Sequence, residues 1–157
     1  MVRLFAMALD LPEDYFDSAT TYPGSDGLYI HYPGTTRGPE EEIGVGSHTD
    51  MQCFTLLWQD MSGGLQLLSA QDDWVEATPI EGTLVVNIAD FLQRLSNDRF
   101  RSTVHRVHSQ KAASRYSMPF FFGFNTDTVL SVVPTCIDEE NPPRYKPISC
   151  GEVIEVP

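Results

Sequence analysis

Short apolar segments with the composition of β-strands recur along most of this 157-residue chain. Eight or nine of them follow one another at near-regular spacing, and they include FTLLWQD, TLVVNI and YSMPFFFGF. Turn-forming sequences such as DMSGG, AQDD and NTDT separate them. Because long helical patterns do not alternate with these segments, the sequence predicts an all-β sandwich or barrel rather than a βαβ protein.

Two helical segments and several loops complete the predicted organisation. The apolar pattern of residues 2–9 predicts a short amphipathic helix, and ADFLQRLSN predicts a brief helical break between strands. Residues 20–27 and the acidic segment 35–42 are predicted to be loops, and residues 138–157 a proline-rich, mostly irregular tail. No shift in composition divides the chain, so we expect residues 1–157 to form a single domain.

Charge and cysteine content narrow the class of protein. Acidic residues outnumber basic ones by 22 to 10, and the net charge of -12 disfavours broad binding to nucleic acid. No apolar run approaches the roughly 20 residues that span a bilayer, and the N-terminal segment lacks a signal-peptide cleavage site. Cys53, Cys136 and Cys150 are too few and too scattered for a disulfide framework, so we expect buried thiols and a cytoplasmic protein.

His48 and Asp50, in GVGSHTDMQCFTLL, are separated by one residue, which is the spacing that places two strand side chains on one face. Together they could supply two ligands to a metal ion. A third ligand could come from His31, His105 or His108, and His105 lies in the strand-like segment STVHRVH. Two imidazoles and a carboxylate on one face are typical of non-haem Fe(II) oxygenases. The alternative is a surface histidine beside an aspartate that caps a turn.

Arg115 and Ser117 also have strand spacing, and they precede the apolar sequence MPFFF. A guanidinium beside a hydroxyl can bind a carboxylate through charge-assisted and neutral hydrogen bonds. A cation at the start of a buried strand is costly unless an anion meets it. That anion is either a carboxylate ligand or, in the alternative interpretation, an acidic side chain of the chain itself.

Several stretches of the chain, taken in order, carry a family resemblance: LPEDYF, HYPG, HTDMQCFTLLWQD, GGLQLL, WVEATPIEGTLVVNIADFLQRLSNDRFRSTVHRV and RYSMPFFF. They resemble the consensus of the iron(II)- and 2-oxoglutarate-dependent dioxygenases of the isopenicillin N synthase-like family, over nearly the whole chain. The resemblance implies an all-β core folded as a double-stranded β-helix (jelly roll), with a short N-terminal helix and a few helical turns.

The resemblance also implies roles for individual residues. His48, Asp50 and His105 match the Fe(II) ligands of the family. Arg115 and Ser117 match the pair that holds the distal carboxylate of 2-oxoglutarate. We therefore expect Fe(II) and 2-oxoglutarate as cofactors of this chain.

Tyr32, in IHYPG, matches a tyrosine that often hydrogen-bonds the same cosubstrate. Family members often carry Asn where this chain has Ile30, so the chain departs from the family pattern two residues before Tyr32. Phe121 matches an aromatic position that commonly lines the substrate pocket. Tyr32 and Phe121 extend the expected site from the metal toward the cosubstrate and the substrate.

Four other polar residues are interpreted as structural. Asn87 and Asp90, in NIAD, match a family stretch and are expected to form turns near the site. His31 and His108 match no functional position of the family and are expected to be ordinary polar residues.

The activity implied is the oxidation of a small molecule by O2, through hydroxylation, desaturation or ring formation, while 2-oxoglutarate is converted to succinate and CO2. Two alternatives stay open. One is an Fe(II) oxidase that does not use 2-oxoglutarate, in which Arg115 and Ser117 hold the substrate's own carboxylate. The other is a catalytically weak binding module. Succinate formation separates the 2-oxoglutarate-dependent oxygenase from the Fe(II) oxidase. Affinity for Fe(II) and 2-oxoglutarate tests the binding-module alternative.

Family members are considerably longer than this chain and have a helical N-terminal half that packs on the barrel. We therefore expect residues 1–157 to correspond to the catalytic core without that half. A barrel face without its cover exposes apolar surface. A homo-oligomer, in which a second copy covers the open face, is one expected consequence.

Overall fold

A computed structural model describes residues 1–34, 43–109 and 113–155 of the chain, and strands dominate these residues. In chain order the strands are β1 (Pro23–Gly27), β2 (Ile30–Tyr32), β3 (Ile43–His48), β4 (Phe54–Gln59), β5 (Leu65–Leu68), β6 (Trp74–Glu76), β7 (Val85–Ile88), β8 (His105–Ser109), β9 (Arg115–Asn125), β10 (Val129–Leu130) and β11 (Ile148–Ser149). The α-helices are α1 (Val2–Ala8), α2 (Asp90–Leu95) and α3 (Cys150–Glu155), and short 3₁₀ helices cover Asp17–Thr20 and Pro134–Cys136.

Two antiparallel sheets build the body of the molecule. The larger has the strand order β1-β9-β4-β7, with β2 also paired to β9, and the smaller has the order β3-β8-β5-β6. Side chains from both sheets line one cavity, so the sheets face each other across it. The predicted all-β core is confirmed, and the two facing sheets have the arrangement expected of a double-stranded β-helix.

Strand β9 shows how the sequence directs side chains toward the cavity. Its residues alternate, so that Arg115, Ser117 and Pro119 are buried while Met118 and Phe120 are exposed on the outer face. This alternation follows from the two-residue period of a strand. The polar pair at the start of β9 therefore points into the molecule rather than into solvent.

The main apolar core lies where the helices pack against the larger sheet, not inside the cavity. Phe54 on β4 stacks on Phe122 of β9, with ring centroids 4.9 Å apart, and contacts Phe5 of α1 at 5.3 Å. Phe91 and Leu92 of α2 are fully buried in the same cluster. This core fixes β4 and β9 from outside, which leaves their inward face free to carry polar side chains.

The structure corrects the sequence prediction in two segments. The end of the predicted loop at residues 20–27 forms strand β1, which pairs with β9 although its sequence, PGSDG, lacks apolar residues. Backbone hydrogen bonds to a long neighbouring strand, rather than side-chain composition, define this strand. The tail predicted to be mostly irregular also contains β11 and α3. The predicted acidic loop at residues 35–42 lies outside the described residues.

Other expectations are confirmed. Helices form at α1 and α2, within one or two residues of the predicted segments. Cys53, Cys136 and Cys150 are all free and buried. Among the described helices, none is long and apolar enough to cross a membrane.

Candidate active site

His48 and His105 lie side by side on adjacent strands of the smaller sheet. They are directly paired in the antiparallel register of β3 and β8, and their ring centroids lie 4.3 Å apart. The register of the two strands is irregular between Val45 and His48, which shifts His48 relative to a regular ladder. The pairing of two distant segments thus places two imidazoles side by side.

A backbone carbonyl holds each imidazole through its Nδ1 atom. His48 Nδ1 lies 2.8 Å from the carbonyl oxygen of Gly46, and His105 Nδ1 lies 3.0 Å from that of Thr103. A carbonyl only accepts hydrogen bonds, so each contact favours the tautomer of the neutral imidazole that has its proton on Nδ1 and a lone pair on Nε2. Both Nε2 atoms face the same oxygen, Oδ1 of Asp50, at 3.7 Å and 3.6 Å.

Asp50 lies two residues beyond the end of β3, so a turn rather than the strand itself delivers its carboxylate. Its second oxygen, Oδ2, accepts hydrogen bonds from Thr55 Oγ1 at 2.5 Å and from Asn87 Nδ2 at 2.8 Å. The carbonyl oxygen of Asp50 accepts a hydrogen bond from the amide of Asp90 at 2.8 Å. Oδ2 and the main chain are therefore held, and Oδ1 is directed toward the two imidazoles.

The three side chains could hold a divalent metal ion. Their ligand atoms all lie within 4.8 Å of one another. Two neutral imidazole nitrogens and one carboxylate oxygen suit a borderline divalent ion, and three ligands on one side leave other coordination positions open. The carbonyls that hold the two Nδ1 atoms and the side chains that donate to Oδ2 are the outer partners that fix the orientation of metal ligands. The donor set fits Fe(II).

A second polar group surrounds Arg115, at the start of β9. Its Nε donates to the carbonyl oxygen of Gly63 at 2.8 Å, one terminal nitrogen to Ser117 Oγ at 3.1 Å, and the other to Gln59 Oε1 at 3.3 Å. Gly63 has a φ of 79°, a left-handed conformation that glycine adopts without strain. The tight turn after β4 thereby aims a carbonyl at the guanidinium.

Arg115 is a buried cation, only 1% exposed, and all three of these acceptors are neutral. Among the described residues, no carboxylate forms an ion pair with it. Burial lowers the pKa of Arg115 from its ordinary value, and Tyr32 and the more distant charge of Asp60 oppose this shift. Asp60 itself accepts from the amide of Tyr116 at 2.6 Å. The internal salt bridge considered as an alternative is therefore not found among the described side chains, and a guanidinium so placed favours an anionic ligand.

Tyr32 completes this second group. It pairs with Arg115 in the register of β2 and β9, and the guanidinium carbon of Arg115 lies 4.9 Å from the centre of its ring. Its side chain is buried and lines the cavity. The structure thus brings Tyr32, Arg115 and Ser117 together.

Both polar groups open onto the same cavity, which has a volume of about 260 Å³. The histidines come from the smaller sheet, and Arg115 and Ser117 from the larger, so the cavity spans the gap between them. Its other lining is mainly apolar, with Leu28, Ile30, Val45, Leu57, Leu65, Leu67, Val85, Val107, Pro119 and Phe121. A ligand in this cavity can reach the triad and the guanidinium at the same time.

The remaining sequence-based candidates divide between the cavity and the surface. Phe121 is half-buried and lines the cavity, and so does Ile30, which is paired with Ser117. His31 points away from the cavity and stacks on Tyr116, with ring centroids 4.6 Å apart. His108 does not line the cavity.

The sequence interpretation was wrong about Asn87 and missed two further residues. Asn87 lies in β7, not in a turn, and its amide holds Asp50. Thr55 and Gln59 were not identified, although their spacing on β4 places both on the inward face. That spacing, in a strand that follows His48 and Asp50 directly, is the signal that could have found them.

Comparison with known proteins gives the family of this chain. The profile of the 2OG-Fe(II) oxygenase superfamily matches residues 24–124, which include every cavity residue named above. The chain is 42% identical over 162 residues to the 2-oxoglutarate-Fe(II) type oxidoreductase ppzC of Metarhizium majus, covering 98% of this chain and 43% of that protein.

Solved structures show the same fold. A full-length Neurospora crassa protein in complex with alpha-KG matches with a TM-score of 0.89 at 34% identity, over 98% of this chain and 50% of that protein. JOX2 in complex with 2OG, Fe and JA matches with a TM-score of 0.86 at 28% identity, over 96% of this chain and 45% of JOX2. The predicted double-stranded β-helix is thereby confirmed.

The chain spans about half the length, or less, of these relatives. Fe(II) and 2-oxoglutarate are the cofactors of the matched superfamily. The profile covers well over half of the chain, and the relative from Metarhizium majus exceeds 40% identity over nearly all of it. This chain therefore belongs to the 2OG-Fe(II) oxygenase superfamily.

Proposed function

We propose that residues 1–157 form the catalytic core of an Fe(II)- and 2-oxoglutarate-dependent oxygenase that oxidises a small molecule with O2. The single observation that carries this proposal is the shared cavity. One end presents two imidazoles and a carboxylate, and the other presents a buried guanidinium that lacks an ion-pair partner among the described residues. A dicarboxylate that chelates a metal at one end fits both groups.

In this proposal His48, Asp50 and His105 hold Fe(II). The carbonyls of Gly46 and Thr103 keep both Nε2 lone pairs directed at the metal position. Thr55 and Asn87 keep Oδ2 of Asp50 occupied, which favours binding of the metal through Oδ1 alone. The protein therefore occupies one side of the metal and leaves the cavity side to 2-oxoglutarate and O2.

Arg115 and Ser117 hold the distal carboxylate of 2-oxoglutarate in this proposal, and Tyr32 borders the same carboxylate. The guanidinium is already oriented before the ligand arrives, so little side-chain ordering opposes binding. A carboxylate would also relieve the cost of a buried cation that has no ion-pair partner among the described residues. Both effects favour a 2-oxo acid with a second carboxylate over one without it.

When bound, the metal and cosubstrate supply the oxidising chemistry, in which 2-oxoglutarate and O2 give succinate, CO2 and one oxygen atom for the substrate. The residues of the chain bind, orient and exclude water. Phe121 and neighbouring aliphatic side chains form the apolar part of the cavity and would contact the substrate. This lining favours an apolar portion of the substrate near the metal.

Thermal unfolding of the purified chain tests the proposal. We expect 2-oxoglutarate to raise the melting temperature in the presence of Mn(II), which binds like Fe(II) but avoids oxidation, and not in its absence. His48→Ala and Asp50→Ala should abolish this shift. An unchanged shift in either variant, or no shift in the wild type, contradicts the assigned site. Turnover without succinate would favour an Fe(II) oxidase that does not use 2-oxoglutarate.

We also propose that a second copy covers the part of the outer face of the larger sheet that the helices leave exposed. Four exposed apolar side chains define an outer patch on paired strands: Trp58, Val86, Met118 and Phe120. Patches of this kind mark association surfaces. Sedimentation should show a dimer for the wild type and a monomer for a Met118→Lys, Phe120→Lys variant, with Tyr22→Lys as an exposed control. A monomeric wild type at tens of micromolar would contradict this part of the proposal.

A cytoplasmic location is the remaining part of the proposal. Three free, buried cysteines support it, because proteins of oxidising compartments usually pair their cysteines. Fractionation of expressing cells with an antibody to the chain tests it, and recovery in a secreted or organellar fraction would contradict it.

A further inference from the structure

Gln59 connects the two sheets near Arg115, at the end of the cavity opposite the metal-binding triad. It is the last residue of β4 and pairs with Ser117 of β9. Its Oε1 accepts a hydrogen bond from Arg115 at 3.3 Å, and its Nε2 donates to the carbonyl oxygen of Ala77 at 3.2 Å. Ala77 follows β6 of the smaller sheet and is itself hydrogen-bonded to Leu65. The amide therefore links Arg115 to a fixed point on the opposite sheet.

The chemistry of these two neighbours fixes the orientation of the amide. A guanidinium only donates hydrogen bonds, and a backbone carbonyl only accepts them. The oxygen of Gln59 must therefore face Arg115 and its nitrogen must face Ala77. A primary amide satisfies both neighbours, whereas a carboxylate would repel the carbonyl and an apolar side chain would satisfy neither.

An amide also leaves Arg115 without a directly paired negative charge among the described residues. Gly63, Ser117 and Gln59 are all neutral acceptors, so they orient the guanidinium without pairing its charge. The positive charge therefore stays available to a ligand. A carboxylate at the position of Gln59 would instead contact the guanidinium from within the protein.

We propose that Gln59 is a positioning residue for cosubstrate recognition, which orients Arg115 toward the cavity and preserves its charge for the distal carboxylate of 2-oxoglutarate. This inference rests on the proposed function, because it concerns the same carboxylate. It makes a specific prediction about charge: Gln59→Glu places a carboxylate beside Arg115 that competes with the carboxylate of the ligand.

Two ligands distinguish a loss of distal-carboxylate recognition from a general structural defect of the variant. 2-Oxoglutarate carries the distal carboxylate, whereas 2-oxobutanoate has the same 2-oxo acid end without it. Affinities for both are measured by calorimetry with Mn(II), for the wild type, Gln59→Glu and Gln59→Met. Gln66→Glu is the matched control, because Gln66 also accepts a hydrogen bond from an arginine, Arg106, which does not line the cavity.

We expect Gln59→Glu to weaken 2-oxoglutarate binding on the order of a hundredfold, as for the loss of a buried charge pair. Its affinity for Mn(II) and 2-oxobutanoate should stay within about twofold of the wild type. The ratio of 2-oxoglutarate affinity to 2-oxobutanoate affinity should therefore fall sharply. Gln59→Met removes the orienting contact without adding charge and should show a smaller loss. Gln66→Glu should bind both ligands like the wild type.

Three results would overturn the inference. Unchanged 2-oxoglutarate affinity in Gln59→Glu would show that the amide does not control the charge available at Arg115. Equal losses for both ligands would show a merely structural role, as would a comparable loss in Gln66→Glu. In each of these three results the wild type still binds 2-oxoglutarate in the presence of metal. If the wild type shows no metal-dependent binding, the proposed function itself fails.

Discussion

His105 lies directly opposite His48 in the ladder of β3 and β8, with the two imidazole rings 4.3 Å apart. Four other strands and a helix lie between the two residues in the sequence, so the pairing of the sheet, not proximity along the chain, creates the triad. Both Nε2 atoms point to one oxygen of Asp50, which the rest of the structure holds in place.

Replacement of Asn87 should weaken metal binding. Its amide holds Oδ2 of Asp50 at 2.8 Å, and loss of such an outer partner typically lowers metal affinity by about 10- to 100-fold. We expect Asn87→Ala to show this loss in an Mn(II) titration. Asn125→Ala is the control, because Asn125 hydrogen-bonds the main chain near Tyr22, away from the cavity. Equal affinities for Asn87→Ala and the wild type would rule out this role.

For metal binding, the hydroxyl group of Thr55 should matter more than the shape of the side chain. Thr55→Val keeps the volume but removes the donor to Asp50, whereas Thr55→Ser keeps the donor. We expect Thr55→Val to bind Mn(II) about tenfold more weakly than Thr55→Ser, because a ligand that loses one of its outer hydrogen-bond partners binds metal less tightly, while Asn87 still donates to the same oxygen. If Thr55→Val binds Mn(II) as tightly as Thr55→Ser, the hydrogen bond to Asp50 does not support metal binding.

Arg115→Lys should impair binding of 2-oxoglutarate despite the retained charge. Lysine cannot donate in a planar fork to Gly63, Ser117 and Gln59 while also facing a carboxylate. We expect the dissociation constant to rise about tenfold or more, with Mn(II) affinity unchanged. Arg106→Lys, which alters an arginine that stacks on Trp74 outside the cavity, is the control. Normal affinity in Arg115→Lys would show that charge alone is recognised.

Asp60 should stabilise the metal-free protein in a pH-dependent manner. Burial raises the pKa of its carboxyl, but hydrogen bonds from Ser62 and Tyr116 and the charge of Arg115 outweigh burial and lower it. Its folded pKa lies below the unfolded value of about 3.9, so its contribution is complete above about pH 4 and is lost as the pH falls through the folded pKa.

Urea unfolding of the wild type and Asp60→Asn between pH 7 and pH 2 checks this prediction. The difference in unfolding free energy should be no more than about 1 kcal/mol at neutral pH, because the carboxylate is partly exposed and screened, and it should shrink in acid. A difference that grows as the pH falls would contradict the assigned direction of the shift.

Residue spacing and motif order predicted much of this site, because strand side chains alternate. The spacing of Arg115 and Ser117 placed both on one face, and the structure finds both buried in the cavity. Spacing did not determine which histidine would accompany His48, since only the register of β3 and β8 places His105 opposite it. The resemblance to a known family identified that residue where local pattern left three candidates.

Tertiary contacts explain what the sequence did not predict. Strand β1 has no strand-forming side chains and owes its conformation to pairing with β9. Asn87 was interpreted as a turn residue from its position in NIAD, but it lies in a strand and hydrogen-bonds Asp50, 37 positions away. The spacing of Gln59 on β4 indicates that it faces inward, but it does not indicate its partners, because Arg115 belongs to the larger sheet and Ala77 follows β6 of the smaller one.

The visible charge-transfer absorption of Fe(II) with a bound 2-oxo acid tests the central claim most directly. Titration of 2-oxoglutarate into the anaerobic Fe(II) protein should produce a saturable band in the wild type. The band should be absent from His105→Ala and should need much higher 2-oxoglutarate in Arg115→Lys. No band in the wild type, or the same band and midpoint in all three proteins, would contradict a shared metal and cosubstrate cavity.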